Sequence, residues 1–231
     1  VFNPNQIKSA TDNNGNFDSI NNSILFQMVT EQELKKRIDN VKHTPQRADY
    51  IKRYYADIKE QYEEKEVTSQ DGKRHGKIEI AKEKDLTKAV TKKEIDAALK
   101  FLSMGYKPTL LTENLKFDNG RKIDMLLNEN VLVEIKTETG NAQSVAKEIK
   151  NAINKENSEI ISVFMIGNEA VTDEEILRHL KRNARNFHGE TDGIFIFRND
   201  TISEIKKPRL LKQRSNIWSS DLSDQALHFW A

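Results

Sequence analysis

Cysteine is absent from all 231 residues, so neither a disulfide framework nor a cysteine-ligated zinc site is open to this chain. No apolar stretch reaches membrane-spanning length. Charge of one sign is missing too. The formal net charge is +1, which leaves no global cationic field and by itself speaks against tight nucleic-acid binding. There is no phosphate-binding Walker loop, no dinucleotide fingerprint and no internal repeat. The five histidines, His43, His75, His179, His188 and His228, show no metal-ligand pairing, and none sits in a general-base constellation. No signal peptide is present and the chain opens on Val1 rather than Met, which fits a piece of a longer polypeptide.

What is present is a charged hairpin, Lys122–Lys136. Val131, Val133 and Ile135 alternate with Leu132, Glu134 and Lys136, the period of a strand. Glu134 and Lys136 therefore share one face. With Asn128–Asn130 as a three-residue connection, Asp124 falls opposite Glu134, at a Cβ separation of roughly 5 Å. Two carboxylates and an ammonium then converge. Their mutual repulsion needs a compensating charge, for which a divalent cation is the usual answer. In a chain that is 32% charged, an ordinary solvated hairpin face would produce the same pattern.

The elements around the hairpin come in a definite order. Thr91–Glu94 reads as a capping box opening a helix with Ile95, Ala98, Leu99 and Leu102 on its stripe and an end at Gly105. Tyr106–Leu111 reads as a strand. After the hairpin, Ala142–Asn154 is a helix and Ile160–Ile166 an apolar run of buried-strand length. Thr172–Glu175 caps a helix reaching Phe187, and Gly193–Phe197 is a further strand. The order is αβββαβ followed by αβ, an α/β chain with a mixed α+β sheet. Upstream, Thr30–Glu33 caps a helix carrying Leu34, Ile38 and Val41. His43-Thr-Pro45 interrupts it. A second helix, Gln46–Lys65, carries Ala48, Ile51, Tyr55, Ile58 and Tyr62, then Ser69–Gly76 forms a loop into a strand at Lys77–Ala81. These two helices read as a hairpin packed on the core, or as a substrate-docking appendage through Lys52, Arg53 and Tyr54. The expected division is a leader over 1–29, with a short strand at Ile7–Ala10, a helical extension with a hairpin loop over 30–85, a core over 86–207 and a tail over 208–231. The tail is basic at Arg209, Lys212 and Arg214, and its Trp218, Phe229 and Trp230 are expected to pack somewhere.

Asp124 followed by Glu134-Ile-Lys136 in this setting resembles the PD-(D/E)XK nucleases, with Ile123 standing where the family name has Pro. The resemblance implies a restriction-endonuclease-like core. It implies Asp124 and Glu134 as ligands of Mg²⁺ or Mn²⁺, and Lys136 as the group that orients or deprotonates the attacking water. Glu94 on the first helix would complete the metal site, or else serve only its capping box. Glu134-Ile-Lys-Thr-Glu-Thr-Gly140 looks like the C-terminal nuclease domains of contact-dependent inhibition and related polymorphic toxins. The segment from Val1 to Gln27 looks like the module junctions of large phage- and prophage-encoded polyproteins. These likenesses imply an endonuclease toxin domain favouring RNA, tRNA included, over DNA. They also imply a cognate immunity protein as partner, no membrane partner, and action in the cytoplasm of a bacterial target cell. A metal-independent toxin RNase of the barnase, EndoU and colicin type, or an inactive nuclease-like binding module, are the alternatives. On the helix after Thr172, Arg178, Lys181, Arg182 and Arg185 are candidate phosphate contacts, or an ordinary solvated face complementing the helix dipole.

Overall fold

The computed structural model describes residues 25–112, 123–155, 159–168, 170–182, 191–199 and 201–206. The expected strand at Ile7–Ala10, Arg185, His188 and the whole tail lie outside them. Among the described residues, nine strands form one mixed sheet, flanked by five α-helices. In chain order the elements are β1 (Leu25–Val29), α1 (Glu31–Asp39), α2 (Pro45–Ile58), β2 (Tyr62–Thr68), β3 (His75–Ala81), α3 (Ala89–Ser103), β4 (Pro108–Leu110), β5 (Met125–Leu127), β6 (Val131–Glu138), α4 (Ala142–Lys155), β7 (Ile160–Met165), α5 (Asp173–Arg182), β8 (Gly193–Arg198) and β9 (Thr201–Lys206). The sheet order is β1-β9-β8-β7-β6-β5-β4-β3-β2. Helices bridge the parallel neighbours: α3 between β3 and β4, α4 between β6 and β7, α5 between β7 and β8. The other neighbours are antiparallel.

Period two decides which side chain meets which layer. On β6, Val131, Val133 and Ile135 join a core with α1 and α3, through Leu34, Ile38, Ile95, Leu99 and Phe101. Leu132 faces the other way, into a core with Ile51, Tyr55 and Ile58 of α2. On the same side, β7 and β8 pack on α4 and α5. The sheet is thus covered on both faces, as parallel strands require.

Local chemistry explains most element ends. Thr30 opens α1 with the capping box expected of it: its side chain accepts from Glu33 N–H at 3.2 Å and its own N–H donates to Glu33 at 2.8 Å. Pro45 begins α2, whose Thr44 cap accepts from Arg47 N–H at 3.2 Å. Two boundaries differ from the sequence reading. The second helix stops at Ile58 rather than Lys65. After a 3₁₀ turn at Lys59–Gln61 the chain becomes β2, where antiparallel pairing with β3 from Tyr62 to Thr68 outweighs the helix propensity of Glu63–Glu66. Tyr62 still reaches the α2 core, from a strand. The helix expected from Thr91 begins at Ala89 with Lys88 as an uncapped N-terminal residue. The turn former is Asp85, which accepts from Thr87 N–H at 2.9 Å, so Thr91 sits buried inside the first turns and Glu94 belongs to no capping box. Strands β1 and β9, which the sequence did not announce, pair with each other at the sheet's margin.

Glu159 fastens α2 to the sheet. Its Oε1 accepts from Arg47 Nε at 3.1 Å and Nη2 at 3.0 Å, and its Oε2 accepts from Leu132 N–H at 2.7 Å. His43 Nδ1 lies 3.8 Å away. Burial raises its carboxyl above the usual range, while Arg47 and the Leu132 amide act against that shift. Replacing it leaves the buried Leu132 N–H without its acceptor and takes the carboxylate from the part-buried Arg47. Glu159→Ala should therefore cost about 3 kcal/mol, measurable by urea unfolding, and Glu159→Gln distinctly less.

Candidate active site

Strands β3, β4, β6, β7 and β8 all run the same way, so their C-terminal ends share one edge of the sheet. In open α/β sheets that edge is where ligands bind. The hairpin brings its charged residues there. The three-residue connection is as expected, with Asn128 and Glu129 at positive φ and Met125 paired with Val133. Continuing that register sets Asp124, the residue before β5, opposite Glu134.

Asp124 Oδ2 accepts from Ile135 N–H at 2.7 Å. Burial is the main reason Asp124 is held above the ordinary aspartate range, with the Ile135 amide, Lys136, Lys84 and Glu134 pulling the other way. Glu134 is only 3% exposed and forms an ion pair with Lys136. Glu94, from the early turns of α3, reaches the same edge and pairs with Lys84, whose side chain is 6% exposed. The row is Glu94, Lys84, Asp124, Glu134, Lys136. Three carboxylates there face two ammoniums.

Glu138 and Glu148 extend the acidic surround. Burial first, then repulsion from Glu148 on α4, raises the Glu138 carboxyl, opposed by Lys136 and Lys93. Asn141 closes the turn by accepting from Ser144 N–H at 3.1 Å, and Asn168 Nδ2 donates to Gly140 O at 2.7 Å. Thr139 is exposed.

All four expected catalytic residues, Asp124, Glu134, Lys136 and Glu94, therefore meet at one edge. Of the expected phosphate contacts, Arg178, Lys181 and Arg182 do not join them, and Arg185 lies outside the described residues. Helix α5 leaves the site edge after β7 and descends to the start of β8. Its acidic turn, Asp173–Glu175, starts at that edge but over β8 and β9, where Asp173 meets Arg198 and Ser203, while Arg178, Lys181 and Arg182 run toward the opposite end. Lys84 went unnoticed in the sequence, where Lys82-Glu-Lys-Asp85 is one charged stretch among many.

Among the described residues, no three of His, Asp or Glu are gathered tightly enough to hold a metal ion by themselves. Asp124 and Glu134 form a pair, and Lys84 stands between them and Glu94. A pair of hard oxygen donors suits Mg²⁺-type ions, which keep several waters and take one or two carboxylates plus substrate phosphate. No family model matches the chain, and neither a curated protein nor a solved structure proves similar to it.

Proposed function

We propose that this chain is a metal-dependent endonuclease of the PD-(D/E)XK type. In this reading it is the nuclease domain of a polymorphic toxin, cutting RNA, tRNA included, in preference to DNA. What supports the reading is the hairpin register that sets buried Asp124 opposite Glu134, itself paired with Lys136, within an α3-β4-β5-β6-α4-β7 order of the kind the resemblance leads one to expect. Asp124 and Glu134 would hold Mg²⁺ or Mn²⁺, and Glu94, here paired with Lys84, would join them as the third carboxylate only on leaving that pair. Such an ion supplies Lewis-acid stabilisation of phosphate charge and a more acidic water. Lys136, the most exposed member of the two ion pairs at 23%, orients a water by hydrogen bonding and offsets charge building on the phosphate. The RNA preference, the immunity-protein partner and action in a bacterial cytoplasm rest on the toxin likeness alone.

Total RNA and plasmid DNA incubated with Mg²⁺, Mn²⁺ or EDTA test the proposal. RNA cleavage that needs metal is the expected result. Cleavage persisting in EDTA would instead favour the metal-independent RNase, and no cleavage at all a binding module. Lys136→Ala should lower turnover about a hundredfold or more while Mg²⁺ affinity, read by calorimetry, stays nearly unchanged. Lys136→Arg should also fail, because a guanidinium has another shape and cannot deprotonate water. Loss of metal affinity in either variant would give Lys136 a different role.

A further inference from the structure

On the α3 face of the sheet lies a cleft of about 660 Å³. It reaches the C-terminal end of β6 from that face: Lys93 precedes Glu94 on α3, and Thr137 points away from the face that carries Glu134 and Lys136. One wall is the β2–β3 loop, the other the turn between β8 and β9 at Asn199. The floor is apolar. Phe164 lies flat on Phe197, with ring centroids 4.5 Å apart and planes 7° from parallel, and Ile166 is 40% exposed.

The acids of this cleft are committed to holding its wall. Asp96 accepts from Gln70 N–H at 2.8 Å and from Gln70 Nε2 at 2.6 Å, which fastens the loop to α3. Asp71 accepts from Ser69 Oγ at 2.6 Å and Lys73 N–H at 3.0 Å. Ser69 N–H closes the loop on Arg74 O at 2.8 Å. The wall is therefore preformed. Lys100 is paired with Glu31. Lys73, 80% exposed and 3.8 Å from Asp71, together with Arg74 and Lys93, leaves the cleft rim cationic.

Cations above an aromatic and apolar floor suit unpaired nucleic acid, whose phosphates meet the rim while base faces stack below. A duplex hides its base faces and would leave the floor unused. We infer that this cleft seats an unpaired stretch of polynucleotide, with Lys73, Arg74 and Lys93 on its phosphates and its bases against Phe164 and Ile166. The inference rests on the nuclease reading and gives its substrate class: a single-stranded segment led to the Asp124–Glu134 edge.

The test uses Glu134→Gln protein with Mg²⁺ and a fluorescein-labelled single-stranded RNA of about 12 nucleotides, followed by anisotropy. The same sequence as a duplex, and a mononucleotide, serve as competitors. The single strand should bind about tenfold or more tightly than either. Lys73→Glu with Lys93→Glu should weaken it about tenfold and lower the salt dependence by about one to two phosphate contacts. Phe164→Leu, which keeps an apolar floor but removes the ring, should weaken it about tenfold as well. Melting temperatures of these variants establish that the fold persists. Unchanged binding in the charge-reversed protein, preference for the duplex or mononucleotide, or no binding at all would overturn the inference. If the unsubstituted protein cuts nothing but the single strand still binds through these residues, the nuclease reading falls and the cleft assignment stands. If it cuts RNA and the charge-reversed protein cuts and binds equally well, the cleft assignment falls alone.

Discussion

Asp124→Asn should abolish cleavage, by about a thousandfold or more, and leave the metal-free protein at least as stable as before. Both halves follow from the same contacts. Asp124 is a buried carboxyl whose ionisation is opposed first by burial. An amide removes that penalty and keeps an oxygen to accept the Ile135 N–H, now bonded at 2.7 Å. With Asn there, two carboxylates, Glu94 and Glu134, remain against two ammoniums, Lys84 and Lys136. Glu134→Gln should behave alike in the cleavage assay. Asp124→Ala is the poorer probe, since it strips a buried amide of its acceptor and should cost about 1–3 kcal/mol. D124N protein that cleaves at the original rate would remove Asp124 from the site.

The same residue sets a pH dependence. Its folded-state value is raised above the ordinary 3.8. The folded protein therefore holds this proton more tightly than the unfolded chain does. The resulting stability is fully present below 3.8 and is lost as pH rises from there through the raised value. Metal binding needs the ionised form, so the rise in melting temperature given by Mg²⁺ should grow across that same window. Exposed Asp71, Asp85 and Glu175 are shifted the opposite way by their hydrogen bonds. The measurement is accordingly the difference between the unsubstituted and D124N proteins, with and without Mg²⁺. A difference that stays flat as pH rises from 3.8 would show that Asp124 is not the raised carboxyl.

The hairpin was legible because it is local. Alternation fixed the faces of β6, and the length of the Asn128–Asn130 connection fixed the partner of Asp124. Helices α3 and α4 were legible from their apolar stripes, and α5 from its Thr172–Glu175 capping box, for the same reason. What could not be read depended on distant partners. Residues Glu63–Glu66 favour helix locally and become strand because β3 lies alongside. Leu25–Val29 is a short run whose place is set by β9, at the other end of the described chain. Thr91 looked like a cap, yet the turn made by Asp85 starts the helix earlier. Lys84 is one of 37 Lys and Arg residues, and only the fold distinguishes it from the others by burying it against Glu94. The basic character of α5 was plain, but the direction in which the helix carries it is a property of the β7–β8 crossover.

Lys84 and Glu94 give the prediction that decides what Glu94 is for. Their side chains are 6% and 10% exposed, so each charge depends on the other. Lys84→Met removes an ammonium from beside three carboxylates, and the metal-free protein should lose about 3–5 kcal/mol. Glu94→Gln is milder, since an amide oxygen can still accept from Lys84, and its melting temperature should stay close to that of the unsubstituted protein. The double variant replaces the ion pair by two neutral groups of similar volume and should recover most of the stability, as buried pairs replaced together often do. Activity should follow another pattern. If Glu94 contributes its charge to a metal site, Glu94→Gln loses most cleavage although it is folded, and the double variant stays inactive although its stability returns. If Glu94 serves only as the counter-ion of Lys84, the double variant cleaves normally. The placement of Glu94 at the strand edge that holds Asp124 and Glu134, with no capping role in α3, predicts the first pattern. A stable double variant with full cleavage would reduce the site to Asp124, Glu134 and Lys136.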